Sequence, residues 1–193
     1  MKKFLAVAFL SLVMAGCGVE VRYDEPDMGR TPVVNIEYPT VNLPVSLRQT
    51  NWLGSKREGS CVHATMISLL RWQGRPGTAD YWRQNYGNGE WPEDLAAKFD
   101  QEGVRYAYTT DGDVEFLEWA CQTRRGCGVT VMGGRHMVAL VHFDAEWAGI
   151  LDNNDTNTIT WVPRDTFVAE WQNSNGWAVT PVYAPAPPLP LER

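Results

Sequence analysis

Between residues 61 and 73 the apolar residues Ala64, Ile67, Leu69, Leu70 and Trp72 recur at three- and four-residue spacing, and Gly74 closes the run. That pattern predicts an amphipathic helix with a broad apolar stripe. TADYWRQNY (78–86) and PEDLAAKFDQEG (92–103) read as two more helices, the second opened by Pro-Glu-Asp and stopped by Gly103. DVEFLEWACQTRRG (113–126) is a fourth, with Phe116, Leu117 and Ala120 at core spacing. The pattern then changes. VRYAYTT (104–110) and GVTVM (128–132) are short strand patterns, and HMVALVHFD (136–144) is apolar on both faces, as a central strand should be. AEWAG turns the chain into AGILDNN, followed by strands in TITWVPRDTF and GWAVTPVY. Helices first and an antiparallel sheet second predict an α+β domain.

Outside this stretch the patterning fails. Residues 17–44 carry Pro26, Pro32, Pro39 and Pro44 among polar residues without sustained periodicity, which reads as a tether. Residues 185–193 form a proline-rich tail, extended and unpacked. The folded domain is therefore expected at 45–184.

Residues 1–16 are different again: a positive start, Met1-Lys2-Lys3, and then FLAVAFLSLVMAG, an apolar stretch too short to span a membrane as a helix. It ends in Leu12-Val13-Met14-Ala15-Gly16-Cys17, which resembles the lipobox of bacterial lipoproteins. The resemblance implies cleavage before Cys17, lipidation of its thiol and residence in the cell envelope, outside the cytoplasm. A secretory signal cut nearby, leaving Cys17 unmodified, is the plainer alternative.

Composition narrows the function. The chain has 193 residues, net charge −6 and a pI near 5.1. No basic patch supports nucleic-acid binding, and no motif calls for a metal or another cofactor. Trp52, Trp72, Trp82 and Trp91 are assigned to the interior of the helical half rather than to a cleft wall.

An exported chain makes its cysteines informative. Cys121 and Cys127 enclose QTRRG, and an oxidising compartment makes a disulfide between them one possibility. Cys61 is then left as a free thiol that needs a reason. It opens a helix directly after Gly59-Ser60, where the macrodipole favours thiolate over thiol. A thiolate nucleophile needs a general base and a group to orient that base. His63 points roughly 200° round the helix from Cys61 and is a packing or surface residue. His136 and His142 lie about 20 Å apart along one strand, so only one can reach the thiol. His136 starts its strand at an open edge after Gly133-Gly134-Arg135 and is the better base; His142 packs in place. The hairpin from 136 to 155 brings Asp152 and Asn153 back beside His136, and either can orient the ring.

This constellation resembles the papain-like cysteine peptidases, and within them the bacterial group related to bacteriocin leader peptidases. Cys61-Val62-His63-Ala64 matches the pattern Cys-x-x-Ala, and His136-Met137-Val138-Ala139-Leu140-Val141 matches the histidine with its apolar strand. Over about 47–160 the resemblance implies a papain-like fold. An N-terminal helical lobe packs on an antiparallel sheet lobe, and the active-site cleft lies between them. It also implies a Cys–His–Asp/Asn triad that cleaves a peptide or amide bond through an acyl-enzyme, in a monomer. One departure stands out. The family carries a glutamine about six residues before the cysteine as an oxyanion donor; here that position is Ser55. Gln49 or Asn51, further upstream, is expected in its place, with Asn51 favoured. Two rival readings share these residues: a transglutaminase-like acyl transferase, and an inactive module that binds peptide or cell wall.

Overall fold

The computed structural model describes residues 36–53 and 59–190. The lipidation site expected at Cys17, the signal segment and most of the tether lie outside the described residues.

The chain forms a short 3-10 turn (Val45–Leu47), then α1 (Cys61–Trp72), α2 (Pro76–Asn85) and α3 (Pro92–Gln101). β1 (Tyr106–Thr109), α4 (Val114–Gln122), β2 (Cys127–Val131), β3 (His136–Phe143), β4 (Trp147–Asp152) and β5 (Asp155–Pro163) follow. α5 (Arg164–Asn173) and β6 (Ala178–Pro181) complete it. The strands form one six-stranded antiparallel sheet in the order β1-β6-β2-β3-β4-β5.

The sheet separates two cores. On one face Met137, Ala139 and Val141 of β3 meet Met66, Leu69 and Leu70 of α1, and beyond them Trp82 and Phe99 of α2 and α3. On the other, Val138, Leu140 and Phe143 meet Leu117 of α4 with Phe167 and Trp171 of α5. β3 is thus buried on both faces, as its unbroken apolar run predicts. The expected α+β arrangement of helices on an antiparallel sheet is present.

The structure differs from the sequence reading in four places. TITWVPRDTF is not one strand: β5 stops at Pro163, which has no N–H for the ladder, and α5 begins at Arg164. The packed unit also starts earlier than 45, from Glu37, with Leu43 wholly buried and Tyr38 stacked on Trp161 at 5.6 Å. The tail to 190 has no helix or strand, but it is not loose. Ala186 is buried, its N–H donates to Arg124 O (3.1 Å), and Arg124 Nε donates to Ala186 O (2.8 Å). Trp72 and Trp82 fill the interior as expected, whereas Trp91 is 67% exposed and Trp52 is half-buried under the Arg83 guanidinium at 3.8 Å.

Candidate active site

α1 starts on a site built by its own approach. Ser60 occupies the N-cap, yet its side chain caps no first-turn amide. Its hydroxyl donates to Asn51 Oδ1 (2.6 Å) and accepts from Trp52 N–H (2.9 Å). Asn51 Oδ1 also accepts from Ser60 N–H (2.9 Å) and Leu53 N–H (3.3 Å). Gly59 allows this closeness, since a Cβ there would sit 2.7 Å from Asn51 Nδ2. The amides at the start of α1, that of Cys61 among them, therefore lack the usual side-chain cap and remain available to an anion.

β3 delivers the histidine. Met132, Gly133 and Gly134 take positive φ (56°, 66° and 79°) in the tight β2–β3 turn, and β3 begins at His136. His136 Nε2 pairs with Asp152 Oδ1 at 2.9 Å, and that oxygen also accepts from Asn154 N–H (2.8 Å). With Nε2 taken, Nδ1 is the nitrogen left for the Cys61 thiol, whose ionised form the ring favours. His136 is largely enclosed and Asp152 half-exposed.

The electrostatics favour separated charge. Burial disfavours a Cys61 thiolate, but hydrogen bonds from His136 and from the Met137 and Val62 N–H groups outweigh it and hold the thiol below its ordinary value. Burial likewise opposes a charged His136, but Asp152 and Cys61 push it up to about 9. Asp152 is held low by the His136 hydrogen bond, against burial, with help from the Asn154 N–H. Each shift supports a thiolate–imidazolium pair.

The two residues named as alternatives for orienting the ring do different work. Asn153 is not beside the imidazole. It is 3% exposed, and its Nδ2 lies 2.7 Å from Met137 O, 3.1 Å from Thr65 Oγ1 and 3.2 Å from Cys61 O, while its own oxygen finds no partner. It ties the first turn of α1 to β3. The turn between β4 and β5 makes the division: Asp152 ends β4 beside His136, Asn153 turns inward onto α1 and β3, and Asn154 returns to the His136–Asp152 side.

The upstream amides also separate. Gln49 is turned away: Nε2 donates to Thr50 O (2.9 Å) and Oε1 accepts from Arg71 (3.2 Å). Asn51 stands beside Gly59 and Ser60, its oxygen anchored and its Nδ2 directed at Asn154 Oδ1 (3.3 Å). Asn154, unassigned from the sequence, also brings its Nδ2 to 3.3 Å from His136 Nε2. Its place in the Asn- and Asp-rich hairpin return beside Asp152 was the one signal available.

The remaining candidates lie elsewhere. His63 is fully buried and accepts from Trp82 Nε1 at Nδ1 (3.0 Å). Its Nε2 faces Glu90 at 3.3 Å without hydrogen-bond geometry. Burial holds its pKa down despite Glu90. His142 pairs with Asp144 (2.8 Å) at the far end of β3. Cys121 and Cys127 are free thiols and form no bridge here. They converge on Leu140, whose carbonyl accepts from Cys121 Sγ (3.8 Å) and which pairs with Cys127 in the ladder. Among the described residues, no group of three or more His, Cys, Asp or Glu is arranged to hold a metal ion.

No family model matches the chain, and no curated protein is similar to it in sequence. Two solved structures resemble it. One, from Bacillus anthracis and described as a C39-like peptidase, superposes with a TM-score of 0.58 at 12% identity, over 76% of this chain and all of the other. The second is a double glycine motif protease from an AMS/PCAT transporter in complex with the leader peptide. It has a TM-score of 0.46 and 16% identity over 67% and 88% of the two chains, too distant to bear on the fold. The fold is that of C39-like peptidases, a papain-like one.

Proposed function

We propose that the protein is a cysteine hydrolase that cleaves a peptide or amide bond through an acyl-enzyme on Cys61, exported and held at the membrane by lipid on Cys17. The observation that carries the reading is the juxtaposition of Cys61 with a His136 ring hydrogen-bonded to Asp152, in which the thiol is pulled down and the imidazole pushed up. Cys61 Sγ attacks the carbonyl carbon, and the C=O electron pair moves onto oxygen. The oxyanion is met by Cys61 N–H and one Asn51 Nδ2 hydrogen, donors fixed before the reaction. The His136 imidazolium gives its Nδ1 proton to the leaving nitrogen, the C–N bond breaks and a thioester remains. His136, now neutral, takes a proton from water as the water attacks the thioester. Collapse of this second tetrahedral species releases the acid and restores the thiolate–imidazolium pair. Asp152 keeps Nε2 protonated throughout and holds the ring in place.

The lipid anchor is supported by the lipobox-like end of the first 17 residues and is tested on its own. Cys17→Ser should abolish palmitate labelling in cells; unchanged labelling removes the anchor. Turnover should be abolished by Cys61→Ala in a variant that folds as wild type. Retained cleavage would remove the reading. An added amine acceptor distinguishes transfer from hydrolysis, because a transglutaminase-like enzyme would divert the acyl group to the amine.

A further inference from the structure

Resting on that reading, we infer that Asn154 is a positioning residue that joins the oxyanion donor to the catalytic base. Asn51 Oδ1 is held by three donors, Ser60 N–H, Ser60 Oγ–H and Leu53 N–H. The face of its amide is therefore settled, but the lean of its NH2 group is not. One contact decides that: Nδ2 donates to Asn154 Oδ1 at 3.3 Å. This fixes the Asn154 amide in turn, since its oxygen must face Asn51 and its Nδ2 then lies 3.3 Å from His136 Nε2. His136 Nε2–H already serves Asp152, so this second approach is a packing contact between two donors rather than a hydrogen bond. The Asn154 backbone is tied to the same carboxylate, its N–H donating to Asp152 Oδ1 at 2.8 Å. One residue thus touches both halves of the machine: its N–H holds the Asp152 carboxylate, its NH2 lies against the imidazole, and its oxygen aims Asn51. An amide NH2 has two hydrogens, so Asn51 can keep one on Asn154 and turn the other to the oxyanion. Asp in place of Asn154 would set a second carboxylate against the imidazole, and Ala would leave Asn51 free to swing.

The test compares two reactions of Cys61 in the purified full chain, both read at that residue by mass spectrometry. Acylation by p-nitrophenyl acetate passes through an oxyanion; alkylation by iodoacetamide does not. Asn154→Ala should slow acylation about tenfold and leave the alkylation rate and its pH profile in place. Asn51→Ala should do the same or more, and the double variant should be no slower than Asn51→Ala, because Asn154 acts through Asn51. Asn154→Gln should recover part of the loss. Losses that multiply in the double variant, or an unchanged acylation-to-alkylation ratio in Asn154→Ala, overturn the inference. An unchanged ratio in Asn51→Ala instead removes Asn51 from the oxyanion hole, and Asn154's role with it. Wild-type acylation no faster than that of a simple thiol removes the hydrolase reading itself.

Discussion

β3 carries a histidine–carboxylate pair at each end, with a cysteine near each, and the two ends are built differently. At the first end His136 pairs with Asp152 at 2.9 Å; about 20 Å away His142 pairs with Asp144 at 2.8 Å. The pair alone therefore does not tell the two ends apart. The difference lies in how each thiol is presented. Cys61 opens a helix whose N-cap side chain caps no amide, and the Met137 and Val62 N–H groups favour its thiolate. Cys121 sits in the last turn of α4, and its sulfur donates to Leu140 O at 3.8 Å. His142 belongs to its own hairpin. A register shift separates it from Leu140, its edge meets Trp161 at 5.3 Å, and Asp144 also accepts from the Glu146 and Trp147 N–H groups as the turn residue. One end sets a thiol at a helix start against an imidazole paired with Asp152; the other is a capped turn.

The contrast breaks most sharply by substitution of the thiols. Cys61→Ala should drop turnover to background, while Cys121→Ala should leave kcat within twofold. Equal losses would mean that the two ends were confused. Next come the bases: His136→Ala should lower kcat by about 10³-fold, in the range of a lost general base, and His142→Ala should not. Asp152→Asn should cost less, about 10- to 100-fold, and should pull the His136 pKa down from about 9, moving the alkaline limb of the activity profile to lower pH. Folding stability shifts accordingly. His136 is raised in the folded state, so its contribution is complete below the ordinary histidine value of about 6.5 and disappears as pH rises through about 9. Asp152 is lowered, so its contribution stands above its ordinary value and is lost as pH falls through its depressed one. Urea melts across pH in wild type and Asp152→Asn check both slopes.

Two smaller effects sharpen the picture. Asn153→Ala should cost roughly 1–3 kcal/mol in a urea melt, because the Cys61, Thr65 and Met137 acceptors all lose their buried donor. Asp144→Asn should cost at most about 1 kcal/mol, because its carboxylate is half-exposed.

Much of this was legible in the sequence, and the rest was hidden for physical reasons. The apolar run of β3 and the hairpin length are enough to return Asp152 to His136. The choice between Asp152 and Asn153 is not open to counting. Asp152 ends β4 and Asn153 begins the turn, and the register shifts at Leu140/His142 and Ile150/Asp152 decide which of them meets His136. Asn51 and Gln49 are two residues apart on irregular chain, where no period separates them; only the bonds to Ser60 and Arg71 do. α5 was missed because it buries only Phe167 and Trp171, a stripe too thin to outweigh the strand pattern running into Pro163.

The central claim, a preformed thiolate–imidazolium pair at the start of β3, is tested most directly by the alkylation rate of Cys61 against pH. The rate should stay high well below the ordinary thiol pKa of about 8.5 and fall only in acid. His136→Ala should return it to an ordinary thiol titration, and His142→Ala should reproduce wild type. Loss of the acid-resistant rate in His142→Ala with its survival in His136→Ala would contradict the account and move the base to the other end of the strand.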